Sequence, residues 1–325
     1  MKKFRFKTTL FAVTLALISA VLFSCGEMLY FNHQNIELSP YAPVVIIHSE
    51  ETDPPPINQA VLADLELHST TAFLINATTN QVLLDNYANQ RMYPASMVKM
   101  MTALVAIENL GDLSQNIFFS PAIFPPLREI GASTAGFFAN EIVPAYDVLP
   151  GILLPSGADA TVAIAQHISG SEAGFVVLMN QKAQALGMYN TNFENTSGLP
   201  HENQYTTASD MAILLYNGLQ NEIFRDIITR STHTAQPTNR RTTQLNMRST
   251  LFSRMSSPYF GSSSILGGRT GFTFEAGQTL ASFTEIYDEI YILVTMGAYP
   301  PSSSRHTWHI DDAFVVYRTL YELLR

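Results

Sequence analysis

The sequence predicts an α+β fold: an antiparallel sheet built from both ends of the folded chain, with flanking helices and an inserted helical lobe. Three observations carry this. Strand-like patterns pair near residue 71 and recur three times between residues 267 and 299, helical periodicity dominates the middle, and an amphipathic helical pattern closes the chain.

Taken in order, "TAFLIN" and "QVLLDNY" flank residues 77–80 and read as a hairpin. "YP" breaks the second strand, and "PASMVKMMTALVAIENL", residues 94–110, reads as a helix. Residues 112–150 read as loop-rich, with "FFSPAIFPPLREIG" too rich in proline to be regular. "ADATVAIAQHISG" predicts a helix ending at Gly170, and "EAGFVVLMNQKAQALG" one ending at Gly187. "TASDMAILLYNGL" predicts a third, with Asp210 near its start and an apolar stripe. The polar stretch 229–248 fits neither period. "GGRTGFT", "GQTLASFTEI" and "EIYILVTMGAY" then read as strands, and "IDDAFVVYRTLYELLR" as the closing helix.

Hydrophobic residues make up 46% of the 325, enough for a large core, while charged residues are only 14%. The net charge is −9 and the body carries no run of Lys or Arg, which argues against nucleic acid as a partner. The N-terminus reads as a signal peptide over residues 1–24: a basic start, "MKKFRFK", then a 16-residue apolar run, short for a membrane span. Cys25, the only cysteine, follows in "LFSC", so no disulfide within the chain is possible. Two readings of it stand: a lipidation site, as in the bacterial lipoprotein signals it resembles, or a stray cysteine in an ordinary secretory leader. Both export the chain. Removing residues 1–24 takes away four basic residues and no acid, leaving a mature net charge of −13. Residues 25–65, with "SEETDPPPINQ", read as a flexible, lipid-anchored tether, and 66–325 as the catalytic body. Within the tether "YAPVVIIH" reads equally as a strand or a docking segment.

Within the opening helix, Ser96 and Lys99 lie three apart and share a face, so the lysine can act as base for the hydroxyl. That spacing is weak alone, but two more short motifs follow in order: Ser156-Gly157-Ala158-Asp159 and Arg269-Thr270-Gly271. Ser96, at a helix start, is the expected nucleophile. Lys99 is the expected base, with burial and Arg269 both favouring its neutral form. Ser156-Gly157 before a helix reads on its own as an N-cap or turn, or as a loop serine that relays a proton to a leaving group. The Arg269 guanidinium suits a free C-terminal carboxylate, bidentate where geometry allows. Thr270 adds a hydroxyl to that anion site, and Gly271 lets a substrate backbone approach the strand.

These three motifs resemble the S-x-x-K, S-x-N and K-T-G signatures of the penicillin-recognising serine enzymes. With "LLPSGADA", "LGMYNTNFENTSGLP", "YTTASDMAILL" and "GRTGFTFEAG" between and around them, residues 68–325 are most similar to the low-molecular-mass D-alanyl-D-alanine carboxypeptidases. The resemblance implies a β-lactamase/transpeptidase-like fold and removal of the terminal D-alanine from peptidoglycan stem peptides through an acyl-serine. It also implies inhibition by β-lactam antibiotics, no cofactor, and work at the outer face of the bacterial cytoplasmic membrane. The oxyanion hole it implies is the backbone N–H of Ser96 and of Phe272, with the peptide lying along the strand edge.

Three positions depart from the family pattern: Ala158 replaces the asparagine of S-x-N, Arg269 the lysine of K-T-G, and Gln204 stands where many relatives have histidine. The alternative these departures support is a weak or inactive penicillin-binding scaffold on peptidoglycan. A β-lactamase is disfavoured because no acidic residue lies in a recognisable deacylation motif. No metal site is expected: His201-Glu202 is a lone pair, and His306 and His309 read as the start of the last helix.

Overall fold

The computed structural model describes residues 57–301 and 306–325. The expected signal peptide, Cys25 and the tether as far as residue 56 lie outside them. The described chain enters through a short helix, α1 (Gln59–Ala63), and the hairpin β1 (Thr71–Asn76) and β2 (Gln81–Asn86). A 3-10 turn at Ala95–Met97 leads into α2 (Val98–Asn109). The middle holds β3 (Asn116–Phe118), α3 (Phe124–Glu129), β4 (Ile142–Pro144), α4 (Ala145–Leu153), α5 (Ala158–Ser169), α6 (Glu172–Ala185), α7 (Ala208–Gln220) and α8 (Glu222–Thr229). A ribbon of β5 (Thr232–Ala235) and β6 (Leu245–Arg248) follows, then β7 (Tyr259–Phe260), β8 (Ser263–Thr273), β9 (Gly277–Ile286), β10 (Glu289–Ala298) and α9 (Trp308–Leu323).

Six strands form one antiparallel sheet in the order β2-β1-β10-β9-β8-β7, so the early hairpin pairs with the late strands and helices α2 to α8 lie between them in sequence. The fold is the expected α+β arrangement. Strand periodicity explains how the sheet serves two cores. Phe73 and Ile75 of β1 and Ile292, Val294 and Met296 of β10 join the larger core with α2, α5, α6 and α7. Their alternates, Ala72, Leu74, Tyr291 and Leu293, join a smaller core with Ile310, Val316, Tyr317 and Leu320 of α9. Both faces of β1 and β10 are covered, which is why they read as near-continuous apolar runs.

The two ends of the body are fastened together. Asp312, buried in α9, accepts hydrogen bonds from the amides of His68 and Ser69 and from the Ser69 hydroxyl, at 2.9, 2.9 and 2.6 Å. His309 is also buried there, with Nδ1 2.8 Å from Gln278 Oε1 and its pKa pushed down to about 3 by burial first and Arg254 second, so it stays neutral.

Two boundaries differ from the sequence reading. The tether does not run to residue 65: α1 seats Leu62 fully buried in the smaller core, so the described body already begins at residue 57. Five residues make little more than one helical turn, too short for an apolar period to be read. The stretch "FFSPAIFPPLREIG" is more regular than expected, forming a 3-10 turn at Pro121–Ile123 and then α3. Its prolines fall in first turns, where the missing N–H has no intrahelical acceptor to lose.

Candidate active site

Helix α2 is buried all round: every residue from 98 to 107 is inside the protein, Lys99 included at 3% exposure. An apolar helix of this kind belongs at the centre of the helical lobe, and it fixes the Ser96–Lys99 pair in a rigid frame. The turn before it is strained. Ala95 sits at φ +47°, and Ser156 at φ +72° on the loop between α4 and α5. A left-handed non-glycine residue costs about 1–3 kcal/mol and persists only where its surroundings force it. Here two of them carry the two serines.

The geometry brings the three motifs together. Lys99 Nζ lies 3.2 Å from Ser96 Oγ and donates to the Ser197 carbonyl at 2.5 Å. Ser156 Oγ is 3.0 Å from Ser96 Oγ on the other side. Burial, and then the neighbouring Arg269 charge, hold the Lys99 pKa well below the ordinary lysine value; Asp159 and Glu172 pull it back up more weakly. The site can therefore present a neutral amine beside a hydroxyl, with a second hydroxyl in line to pass a proton onward.

Ser96, Lys99 and Ala158 meet a cleft of about 300 Å³ between a wall at residues 130–133 and another at 197–200, with Phe272, Phe274 and Glu275 at its mouth. Gly271 and Gly198 are required by close approach. A Cβ on Gly271 would lie 2.9 Å from the Ser96 nitrogen and 2.5 Å from Thr279 Oγ1; one on Gly198 would lie 1.9 Å from the Ala95 carbonyl oxygen. The first contact sets the end of β8, with Phe272 next along, beside the Ser96 amide.

Arg269 differs from expectation in one respect. It is 1% exposed and beneath the cleft, and its fork is not free: Nε donates to Ser96 O at 3.3 Å, and Nη1 to Leu153 O at 3.2 Å and Thr250 Oγ1 at 2.9 Å. Only Nη2, also buried, is without a partner. A bidentate grip on a carboxylate is thus replaced by at most one free nitrogen, because a guanidinium inside a core spends its donors on nearby carbonyls. Burial and then Arg254 lower its pKa to about 9, which leaves it charged at neutral pH. The Thr270 hydroxyl pairs with Thr250 Oγ1 at 2.7 Å. Gln204, which stands in place of the expected histidine, turns to the 194–199 loop. Both ends of its amide are occupied, Oε1 by the amides of Glu194 and Asn195 and Nε2 by Leu199 O, and it braces the 194–199 loop.

Sequence reading missed Asp159, Glu172, Ser197, Thr250 and Asn195. Asn195 Oδ1 gathers the amides of Ser197, Gly198 and Leu199 at 3.2, 2.7 and 3.2 Å. The signal for Asp159 and Glu172 was present: each is an acid in the first turn of a helix. Ser197 and Thr250 act through a carbonyl and a shared hydroxyl, which no local pattern announces.

The chain is 34% identical over 259 residues to D-alanyl-D-alanine carboxypeptidase DacF of Bacillus subtilis (strain 168), covering 79% of this chain and 65% of that one. It is 36% identical over 152 residues to DacA of Haemophilus influenzae, covering 46% of this chain and 39% of that one. The chain therefore spans less than two thirds of the length of these relatives. It is also 29% identical over 234 residues to the D-alanyl-D-alanine endopeptidase of Escherichia coli (strain K12), covering 72% and 73% of the two chains. The fold matches the Streptomyces K15 DD-transpeptidase with a TM-score of 0.70 at 21% identity, over 79% of this chain and 98% of that one. Residues 57–299 match the family model for D-alanyl-D-alanine carboxypeptidases, peptidase S11, and the chain belongs to that family.

Proposed function

We propose that this protein is a serine-type D-alanyl-D-alanine carboxypeptidase that trims the terminal D-alanine from peptidoglycan stem peptides. The observation that carries this is Ser96 Oγ held between Lys99 Nζ and Ser156 Oγ in an open cleft, with the lysine proton weakened by burial and by Arg269. Neutral Lys99 takes the Ser96 proton as Oγ attacks the penultimate D-Ala carbonyl. The oxyanion faces the backbone N–H groups of Ser96 and Phe272. The C–N bond breaks as Ser156 passes the proton to the leaving D-Ala amine, and a water then cleaves the acyl-serine to return the enzyme. The unpartnered Nη2 of Arg269, with the Thr250–Thr270 hydroxyl pair beside it, draws the substrate's free carboxylate. β-Lactams enter the same cleft and acylate the same serine.

The test is mass spectrometry of a synthetic stem pentapeptide. Wild type is expected to release one D-alanine, and Ser96→Ala none. An intact pentapeptide with wild type, together with no penicillin labelling, would favour the scaffold reading that Ala158 supports. A second reading, cleavage of cross-linked peptides, is motivated by the similarity to the E. coli endopeptidase, and a cross-linked dimer in the same assay reads it.

The protein is further proposed to be exported and held at the outer face of the cytoplasmic membrane by a lipid on Cys25, because this lone cysteine closes a short leader-like apolar run. Cys25→Ser is expected to leave the membrane fraction or stay unprocessed; unchanged processing and partition exclude the anchor.

A further inference from the structure

Two carboxylates, Asp159 and Glu172, hold segments next to the cleft and add negative charge within electrostatic reach of Lys99. Asp159, fully buried in the first turn of α5, receives the amide of Ala135 on Oδ1 at 2.7 Å, and those of Gly136 and Phe137 on Oδ2, each at 3.2 Å. Just before them the Ala158 amide donates to Ser133 O at 2.8 Å. Together these bonds tie down the segment that leads out of the 130–133 wall of the cleft.

Glu172, the first residue of α6, does the same on the other side. Its Oε1 receives the Thr196 amide at 3.0 Å and the Thr196 hydroxyl at 2.7 Å. The Thr196 carbonyl is held by the Thr102 hydroxyl at 2.7 Å, and the next carbonyl, Ser197 O, is the acceptor for Lys99 Nζ. Thr161 stands between the two clamps, with its hydroxyl 3.0 Å from Thr196 Oγ1 and donating to Ala158 O at 2.9 Å.

We infer that Asp159 and Glu172 form a pair of positioning residues, each fixing one wall of the cleft and both placing negative charge near Lys99. The inference rests on the reading of Lys99 as the base. The charged groups acting on that lysine are Arg269 from β8, Asp159 from α5 and Glu172 from α6. Arg269 favours the neutral amine, and the carboxylates favour the ammonium. The enzyme thereby keeps a base that gives up its proton readily yet can still hold one in the tetrahedral intermediate, where it must be stored before Ser156 relays it.

The sign of the effect separates this role from simple bracing. Removing a carboxylate makes the ammonium harder to form, so Lys99 loses its proton at lower pH. A residue that only braces a wall would reduce the rate at every pH alike. The experiment is the pH profile of acylation by labelled penicillin for wild type, Asp159→Asn and Glu172→Gln. The rising limb is expected to move to lower pH in both variants. The penicillin concentration for half-maximal rate is expected to rise several-fold as the walls loosen. Limbs that stay in place, or a shift in only one variant, overturn the pairing. Should Asp159→Asn fail to fold, Asp159→Glu, which keeps the charge, is expected to keep the limb in place while Glu172→Gln, at a partly exposed position, moves it; a limb moved by Asp159→Glu or left in place by Glu172→Gln overturns the pairing. Absence of acylation in wild type would instead strike the base assignment itself.

Discussion

The two ends of strand β8 follow different rules. From Gly267 to Gly271 the strand is buried, and each group meets a specific partner: Arg269 the carbonyls of Ser96 and Leu153, Thr270 the Thr250 hydroxyl, Gly271 the Ser96 amide region. From Phe272 onward it opens. Phe272 is 48% and Phe274 86% exposed, packed edge to face on each other with ring centres 5.7 Å apart. On the proposed reading the inner end sets where the carbonyl and carboxylate of a bound peptide lie. The outer end offers an apolar lip that many side chains can touch. Reaction geometry is thus concentrated where no side chain has room to move, and tolerance where solvent already reaches.

Gly271→Ala breaks the comparison most sharply. The added Cβ meets Thr279 Oγ1, Ala95 Cβ and the Ser96 nitrogen, all closer than 3 Å, so β8 and the Ser96 turn must part. A displacement of reacting groups by roughly 1 Å costs about 100-fold, and penicillin acylation measured by stopped flow is expected to fall by that order. A loss of less than about threefold would show that the inner end is looser than its packing implies.

Arg269 gives the next effect. On the proposed reading its charge and its one unpartnered nitrogen favour a carboxylate over an amide, and a hydrogen bond to a charged group contributes about 1.5–3 kcal/mol. Amidating the C-terminus of the pentapeptide is therefore expected to slow turnover by about one to two decades. Equal rates on acid and amide would assign the carboxylate to some other group.

The smallest effect belongs to the outer end. Phe274→Ala removes a largely exposed ring, and such surface changes stay within about 0.5 kcal/mol of stability, so thermal unfolding and pentapeptide turnover are expected to shift little, turnover by about twofold. A tenfold rise in KM would make the lip part of the recognition surface and narrow the contrast between the two ends.

Much of this molecule is written locally. Hairpin β1–β2 follows from two apolar runs around a four-residue turn, and the closing helix from its stripe, because each satisfies its own backbone bonds and hides one face by period alone. The serine–lysine spacing likewise needs only one turn of helix. Residues 112–150 and 229–248 were less legible. Their short elements, including β3, β4 and the β5–β6 ribbon, hold together by long-range bonds such as His233 Nε2 to Asp147 Oδ1 at 2.6 Å.

The sequence by itself determined the fold class, the three motifs and the order in which the chain presents them, since these depend on residue type and near-neighbour spacing. Tertiary structure alone decided that Arg269 lies under the cleft with two of its three nitrogens engaged, that Thr250 joins it to Thr270, and that Asp159 and Glu172, on two different helices, come within electrostatic reach of Lys99. The reason is distance along the chain. Lys99 and Arg269 are 170 residues apart, and the charge one feels from the other exists only once the sheet and the helical lobe have excluded the water that would screen it.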